Sequence, residues 1–218
     1  MTTSSVVHIV DDDEAIRGSL SMLLDAAGHE TATYADAEIF LAQADLTGQG
    51  CVVADVRMPG MSGLELLRML RSRDIDLPLI VITGHGDIAM AVSALKAGAA
   101  DFIEKPFDDT LFLNSVNDAL DRGRQTFRER RQRASIETRL ATLTPREREV
   151  MALVVQGLPN KAAAVELAIS VRTVEIHRAR VMEKMAAESL SELVRMALIL
   201  EEESSLVRLP HPPSFDEG

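Results

Sequence analysis

In the first 120 residues of the chain, short hydrophobic runs alternate with longer stretches in which hydrophobic residues recur at helical spacing. Short runs bounded by turn residues predict buried strands, and a spacing of three or four predicts amphipathic helices. Five strand–helix pairs in succession predict an α/β domain with a doubly wound, five-stranded parallel sheet and helices on both faces. The predicted strands are residues 6–10, 31–34, 51–54, 79–82 and 101–103, and the predicted helices are residues 14–27, 36–44, 63–73, 88–97 and 108–120.

A different pattern begins at residue 143, beyond which the sequence keeps helical spacing and has no strand-like run. Thr144 before Pro145 is typical of a helix N-terminus, and Gly157 is typical of a helix end. Three further short helices are predicted from their N-cap residues, which are Asn160, Ser170 and Ser189. The sequence therefore predicts a small all-α domain of four helices after the α/β domain.

An arginine-rich stretch lies between these two patterns. It contains no proline and little glycine, so we predict that it is a helical linker. The last residues are acidic and rich in proline and serine, a composition typical of disordered segments. The predicted organisation is an α/β domain at residues 1–121, the linker at 122–140, a helical domain at 141–203 and a disordered acidic tail at 204–218.

The two predicted domains differ in charge. The whole chain has a net charge of −11, yet residues 125–200 hold 13 basic and 9 acidic residues, against 9 basic and 20 acidic residues in 1–124. This asymmetry indicates a nucleic-acid partner for the helical part alone. No hydrophobic run approaches the roughly 20 residues of a membrane-spanning helix, and the N-terminus does not resemble a signal peptide. We therefore expect a cytoplasmic protein without a membrane partner.

Polar side chains follow four of the predicted strands: Asp11–Asp13 after the first, Asp55 after the third, Thr83 after the fourth and Lys105 after the fifth. The carboxyl ends of parallel strands meet at one edge of a sheet, where ligands bind. Carboxylates gathered there repel one another, and Mg²⁺, which prefers oxygen ligands, relieves the repulsion. With the metal bound, Asp55 is a candidate nucleophile toward phosphorus. Lys105 and the Thr83 hydroxyl would then contact the phosphoryl oxygens.

These residues, together with the sequence RMPGMSG after Asp55, resemble the receiver domain of bacterial two-component response regulators. The resemblance implies a flavodoxin-like fold and transfer of a phosphoryl group from a histidine of a sensor kinase to Asp55. It also implies a switch in which Thr83 moves toward the phosphoryl group and Phe102 reorients. The magnesium ligands that it implies are the side chains of Asp12 and Asp55, the backbone carbonyl of Arg57 and, through water, Asp11.

Two other interpretations of the acidic strand ends are available. In the first, the acids only cap the strands. In the second, the domain is a phosphatase of the haloacid dehalogenase type, which also forms an aspartyl-phosphate but needs a second aspartate two residues later as general acid. Arg57 occupies that position, which excludes this phosphatase. His85 is interpreted as a loop residue, because the five histidines lack the spacing of metal ligands.

The basic helical segment has the spacing of a helix-turn-helix motif, in which the second helix enters the major groove. A short helix over residues 160–167 is followed by a turn and by a longer helix from Val171. Val174, Val181 and Met185 recur at helical spacing and are predicted to be core residues. The positions predicted to point outward are Arg172, Thr173, Glu175, Ile176, Ala179 and Arg180.

The sequences LTPRERE, GLPNK and RTVEIHRA resemble the LuxR-type DNA-binding domain. With the receiver in front, the arrangement resembles the NarL/FixJ family of transcription regulators, and in particular its FixJ-like members. The resemblance implies that Glu175, Ile176 and Ala179 face the bases. Glu175 and Ala179 stand where some relatives carry lysine, so base recognition here differs from theirs. The residues implied to contact phosphates or to support these contacts are Lys161, Thr173, His177, Arg178 and Arg180.

The resemblance implies a regulator that is switched on by phosphorylation. Its receiver would then form a homodimer and its helical domain would bind promoter DNA, with RNA polymerase as a further partner. Such a protein is not an enzyme for an external substrate. FixJ-like regulators are linked to low-oxygen control of nitrogen fixation or respiration, although no residue encodes the stimulus. The alternative is a docking platform whose helical domain binds protein rather than DNA.

Overall fold

The computed structural model describes residues 5–84 and 88–201. His85 and the predicted tail at 204–218 lie outside these residues. The strands are β1 (Val6–Val10), β2 (Glu30–Tyr34), β3 (Gly50–Asp55), β4 (Leu79–Thr83) and β5 (Asp101–Glu104). They form one parallel sheet in the order β2-β1-β3-β4-β5, which confirms the predicted doubly wound fold. The order changes direction between β1 and β3, so the ends of these two strands border the crevice where such sheets bind ligands.

Helices pack on both faces of the sheet. They are α1 (Glu14–Ala26), α2 (Ala37–Gln43), α3 (Gly63–Ser72), α4 (Ile88–Lys96) and α5 (Asp109–Ala141). Alternate residues of β3 point to opposite faces. Val52 and Ala54 pack in a core with residues of α2, α3 and α4, whereas Cys51 and Val53 pack with residues of α1 and α5. All six residues of β3 are buried, so this central strand presents only its carboxyl end to the crevice.

The fifth helix and the predicted linker form one helix of 33 residues. The chain divides into two compact units between Glu129 and Arg130, within this helix. In the first unit, Gly123 of α5 lies close to β3, because a Cβ added at Gly123 would be 2.5 Å from the carbonyl oxygen of Gly50. The absence of a side chain at Gly123 therefore lets the helix approach the strand.

The second unit contains four shorter helices: α6 (Pro145–Val155), α7 (Asn160–Glu166), α8 (Val171–Met185) and α9 (Leu190–Glu201). Val174, Val181 and Met185 are buried in its core, as their spacing predicts. None of the helices in the described part of the chain is long and apolar enough to cross a membrane.

The predicted caps of these helices are correct with one exception. Thr144 forms a reciprocal capping box with Glu147, and the Ser170 hydroxyl accepts a hydrogen bond from the backbone N–H of Thr173. The prediction for Asn160 is wrong, since α7 begins at this residue, after Pro159, without a side-chain cap. The Asn160 side chain instead accepts a hydrogen bond from another helix, as described below.

Candidate phosphoryl-acceptor site and DNA-binding surface

The carboxylates of Asp11 and Asp55 lie together at the carboxyl edge of the sheet. Asp11 follows β1 and Asp55 ends β3, and the two residues are 1% and 7% exposed. The Nζ atom of Lys105, which follows β5, lies 2.9 Å from Asp11 Oδ2 and 2.8 Å from Asp55 Oδ1. The backbone N–H of Lys105 donates to the carbonyl of Thr83, which holds this residue beside the end of β4. The structure thus joins both acids through one ammonium group.

Backbone groups fix the orientation of both carboxylates. Asp55 Oδ2 accepts a hydrogen bond of 2.6 Å from the backbone N–H of Arg57. Asp11 Oδ1 accepts one of 2.9 Å from the N–H of Asp13. The loop after β3 is close to the strand at Gly63, where a Cβ would lie 2.3 Å from the carbonyl oxygen of Asp55. The glycine of the MSG sequence therefore allows α3 to start directly against the strand that carries Asp55.

The ammonium group of Lys105 is stabilised by its two partners. Burial disfavours its charged form, but the hydrogen bonds with Asp55 and Asp11 outweigh that effect and raise the pKa of Lys105. The lysine therefore stays charged at neutral pH. Two carboxylates against one ammonium leave a net negative charge, which favours a further cation at this edge.

The residues at this edge fit a magnesium ion that takes few ligands from the protein. Asp11 and Asp55 supply carboxylate oxygens, whereas the neighbouring Asp12 is exposed. Within residues 5–84 and 88–201, no three His, Cys, Asp or Glu side chains are grouped so as to hold a metal ion. Mg²⁺ is commonly bound by one or two carboxylates together with waters and phosphate oxygens. The buried pair meets that requirement.

The two residues of the predicted switch lie on adjacent strands. Thr83 is the last residue of β4 and is 1% exposed. Phe102 lies on β5, is half-buried and packs against the core formed with α2, α3 and α4. Thr83 therefore lies at the same edge of the sheet as Asp55, and Phe102 lies farther from that edge, opposite Val81 in the register of the two strands.

The helix α8 has an exposed face opposite its buried residues. On this face, the large hydrophobic side chain of Ile176 is 46% exposed. Residues three or four positions apart share one face of a helix. The predicted interface has five exposed residues on α8, which are Arg172, Glu175, Ile176, Ala179 and Arg180. On α7, Lys161 is also exposed.

Three other residues of the predicted interface are only half-exposed. The guanidinium of Arg178 donates a hydrogen bond of 3.0 Å to Asn160 Oδ1, which ties α8 to the start of α7. The Thr173 hydroxyl lies 2.8 Å from that of Ser170. The buried Nδ1 atom of His177 has no hydrogen-bond partner among the described residues. Arg178 and Thr173 are thus engaged within the domain, and the tie to Asn160 has no signal in the local sequence because the two residues are 18 positions apart.

A buried ion pair that the sequence did not reveal joins α6 to α8. Glu147 is buried, and its carboxylate lies 2.6 Å from Nζ of Lys184. The hydrogen bond from Lys184, followed by that from the backbone of Thr144, lowers the pKa of Glu147 to about 2. The capping box was recognisable in the sequence, but the partner from α8 was not. This pair fixes α8 against the rest of its unit.

Replacing Glu147 by glutamine is expected to destabilise the second unit at neutral pH. The folded state holds the pKa of Glu147 near 2, below the ordinary value of 4.5, so the unfolded chain takes up the proton first as the pH falls. The stabilisation is therefore complete above pH 4.5 and is lost as the pH falls toward 2. Urea denaturation followed by circular dichroism should show that the difference in the free energy of unfolding between parent and variant shrinks as the pH falls from 4.5 to 2.

Glu149→Gln is the matched control, because Glu149 lies on the same helix and pairs with Arg146 at a solvent-exposed position. Exposed pairs of this kind contribute about 0–1 kcal/mol. A difference that stays constant as the pH falls from 4.5 to 2 would contradict the assignment to the Glu147 carboxylate.

Comparison with known proteins assigns the two units to families. Residues 7–117 match the response regulator receiver domain, and residues 141–197 match the bacterial regulatory proteins of the luxR family. The chain belongs to the response regulators that join a receiver to a LuxR-type DNA-binding domain. These proteins regulate transcription and are not conventional enzymes. Receiver domains generally use Mg²⁺ for phosphorylation, and their presence implies a sensor kinase as partner.

Individual relatives narrow the assignment. The chain is 49% identical over 199 residues to the transcriptional regulatory protein FixJ of Azorhizobium caulinodans, covering 91% of this chain and 94% of that protein. It is 52% identical over 196 residues to FixJ of Rhizobium meliloti, covering 90% and 96%. The solved structure of the response regulator StyR has a TM-score of 0.80 at 39% identity, over 89% of this chain and 98% of that one. Within its family, this chain is a FixJ-like transcriptional regulator.

Proposed function

We propose that Asp55 accepts a phosphoryl group from a histidine of a sensor kinase, and that this phosphorylation controls DNA binding by α8. The observation that carries the proposal is the buried Asp55 carboxylate, which is oriented by the Arg57 N–H and paired with Lys105. We assign residues 1–121 to the phosphoryl-accepting domain, 122–140 to a helical linker and 141–203 to the DNA-binding domain. A regulator of this kind acts where the chromosome lies, in the cytoplasm.

In the proposed reaction, an oxygen of Asp55 attacks phosphorus, the bond from phosphorus to the histidine nitrogen breaks, and that nitrogen keeps the electron pair. Lys105 has three N–H donors, of which Asp11 and Asp55 take two, so the third is available to a phosphoryl oxygen. The Thr83 hydroxyl supplies another donor. Asp12, Asp55, the backbone carbonyl of Arg57 and, through water, Asp11 would hold Mg²⁺, which would neutralise the charge on the phosphoryl oxygens.

Phosphorylation adds charge and acceptor oxygens at the end of β3, and we propose that Thr83 and Phe102 transmit this change. The surface that responds is formed by α4 and β5. On α4, Ile88, Val92 and Leu95 are 86%, 44% and 53% exposed, and hydrophobic residues grouped in this way favour association with a second copy. The dimer would place two helical domains on two half-sites of promoter DNA, where RNA polymerase is a further partner. The target genes would include those of low-oxygen or nitrogen-fixation control.

The experiment that tests this proposal joins labelling to DNA binding. The full-length protein is incubated with acetyl phosphate and Mg²⁺, with or without a chelator, and the labelled peptide is identified by mass spectrometry. Labelled and unlabelled protein are then used to select duplex fragments from the source genome. Label on Asp55 that depends on Mg²⁺, and enrichment of a shared two-half-site sequence by labelled protein alone, are the expected results. Label on another residue, or equal enrichment by both forms, would contradict it.

A further inference from the structure

Glu175 is one of two exposed acids of α8, the other being Glu183. In the described part of the chain, the Glu175 carboxylate makes no hydrogen bond or ion pair, unlike those of Glu147 and Glu149 on α6. Its basic neighbours at helical spacing are Arg172 and Arg178, and Arg178 donates instead to Asn160. Glu175 thus presents an unpaired negative charge on the face that the proposed function turns toward DNA. Such a charge is repelled by phosphates, so a favourable contact must come from another group.

The position of Glu175 along α8 places it among the residues that meet bases. The helix begins at Val171, with its first turn fixed by the Ser170 cap, and Glu175 is the fifth residue. In helix-turn-helix proteins the early residues of the second helix contact base edges. Ile176 follows directly, and Ala179 lies one turn later on the same face. One acid and two apolar side chains therefore occupy the base-facing part of the helix.

A carboxylate has hydrogen-bond acceptors only, so it can contact only a base edge that presents a donor. In the major groove, guanine presents two acceptors and thymine presents an acceptor and a methyl group. Adenine presents a donor beside an acceptor, whereas cytosine presents the N4 amino donor. A carboxylate is therefore best matched by cytosine. The methyl group of thymine is the edge that matches an apolar side chain such as Ile176 or Ala179.

We propose that Glu175 specifies a cytosine in each half-site by accepting a hydrogen bond from its N4 amino group, beside a thymine whose methyl group contacts Ile176. This inference rests on the proposed function, because it requires α8 to lie in the major groove. The carboxylate then acts in two ways: it favours cytosine and it repels the acceptor edges of guanine and thymine. The unpaired state of Glu175 in the free protein leaves it available for this contact.

The test is selection from randomised duplex DNA by the full-length protein treated with acetyl phosphate and Mg²⁺. Four proteins are compared: the parent, Glu175→Gln, Glu183→Gln and Arg172→Ala. Glutamine pairs with the N6 and N7 atoms of adenine, so the Glu175→Gln variant should select adenine at the one position where the parent selects cytosine. The other positions of the half-site should not change. Glu183→Gln removes the same charge from an exposed position later on the same helix, and should select the parent's sequence.

Affinity measurements on two duplexes complete the test. The Glu175→Gln variant should bind the parent's site roughly tenfold or more weakly, and a cytosine-to-adenine change in each half-site should restore its binding. Identical base preferences of the parent and Glu175→Gln would overturn the inference while leaving DNA binding intact. If Glu175→Gln and Arg172→Ala lost the preference for the same base at the same position, the inference would also be overturned, since Glu175 would then act through Arg172. Enrichment of no sequence by the parent would refute the proposed function itself.

Discussion

An Asp55→Asn variant is expected to take up no phosphoryl group from acetyl phosphate and Mg²⁺, whereas the parent protein is labelled on Asp55. The amide lacks the nucleophilic carboxylate that forms aspartyl-phosphates. It also alters the hydrogen bonding, because Asp55 now accepts from Lys105 at 2.8 Å and from Arg57 at 2.6 Å through different oxygens. An amide has one acceptor oxygen and one donor nitrogen, so it can satisfy only one of these donors. Intact-protein mass spectrometry should show label at background level.

Asp118→Asn is a matched control for this loss. Asp118 lies at an exposed position of α5, so the same chemical change is made away from the end of the sheet. This variant should be labelled as the parent is. The Asp55→Asn protein should bind promoter DNA to the same extent with and without acetyl phosphate. Labelling of Asp55→Asn equal to that of the parent would show that the acceptor is another residue.

A Gly63→Ala variant is expected to lose both stability and labelling rate. The new Cβ would lie 2.3 Å from the carbonyl oxygen of Asp55 and 3.1 Å from its carbonyl carbon. Both are backbone atoms, so the clash is relieved only if α3 moves away from β3. Overpacking of this kind typically costs about 1–3 kcal/mol, which should appear as a lower free energy of unfolding in urea. A displacement of about 1 Å at a reacting group costs roughly a hundredfold in rate, so labelling of Asp55 should slow by roughly tenfold to a hundredfold.

Gly18→Ala makes the same substitution where it does not clash. Gly18 lies within α1, and no heavy atom would come within 4 Å of the added Cβ. Alanine is favoured over glycine in helices, so this variant should be more stable than the parent by about 0.5–1 kcal/mol. It should also be labelled at the parental rate. If Gly63→Ala were as stable and as rapidly labelled as the parent, the contact between Gly63 and the backbone of Asp55 would not position the acceptor.

The sequence predicted the acidic edge well because its geometry follows from topology. Successive parallel strands place their carboxyl ends together, so Asp11, Asp55 and Lys105 were expected to converge, and the structure brings them within hydrogen-bonding distance. The doubly wound fold was likewise predicted from the alternation of short hydrophobic runs and helical spacing. What the strand pattern leaves open is the direction of each side chain beyond the strand end. Asp12 is exposed, although Asp11 before it belongs to the acidic edge and Asp13 after it caps α1.

The helical unit was predicted less completely, because its side-chain contacts join residues far apart in the chain. Asn160 is a residue type that often caps helices and it stands at the start of α7, yet its side-chain oxygen accepts a hydrogen bond from Arg178 of the next helix. Likewise, Glu147 was recognisable as a member of a capping box, but its pairing with Lys184 depends on how α6 packs on α8. Local propensity identifies such helices, whereas tertiary packing decides which polar groups remain available for DNA.

The pairing of Lys184 with Glu147 also determines how DNA binding should respond to salt. That pair neutralises one cation of α8, whereas Arg178 donates to the neutral amide of Asn160 and keeps its charge. The cations that remain on α7 and α8 are Lys161, Arg172, Arg178 and Arg180. Each phosphate that the protein neutralises releases condensed counterions, which makes the slope of log K against log salt more negative by about 0.9. Four contacts in each protomer give a slope of about −3.6, and two protomers give about −7.2. A salt titration thus counts the protomers bound to one operator.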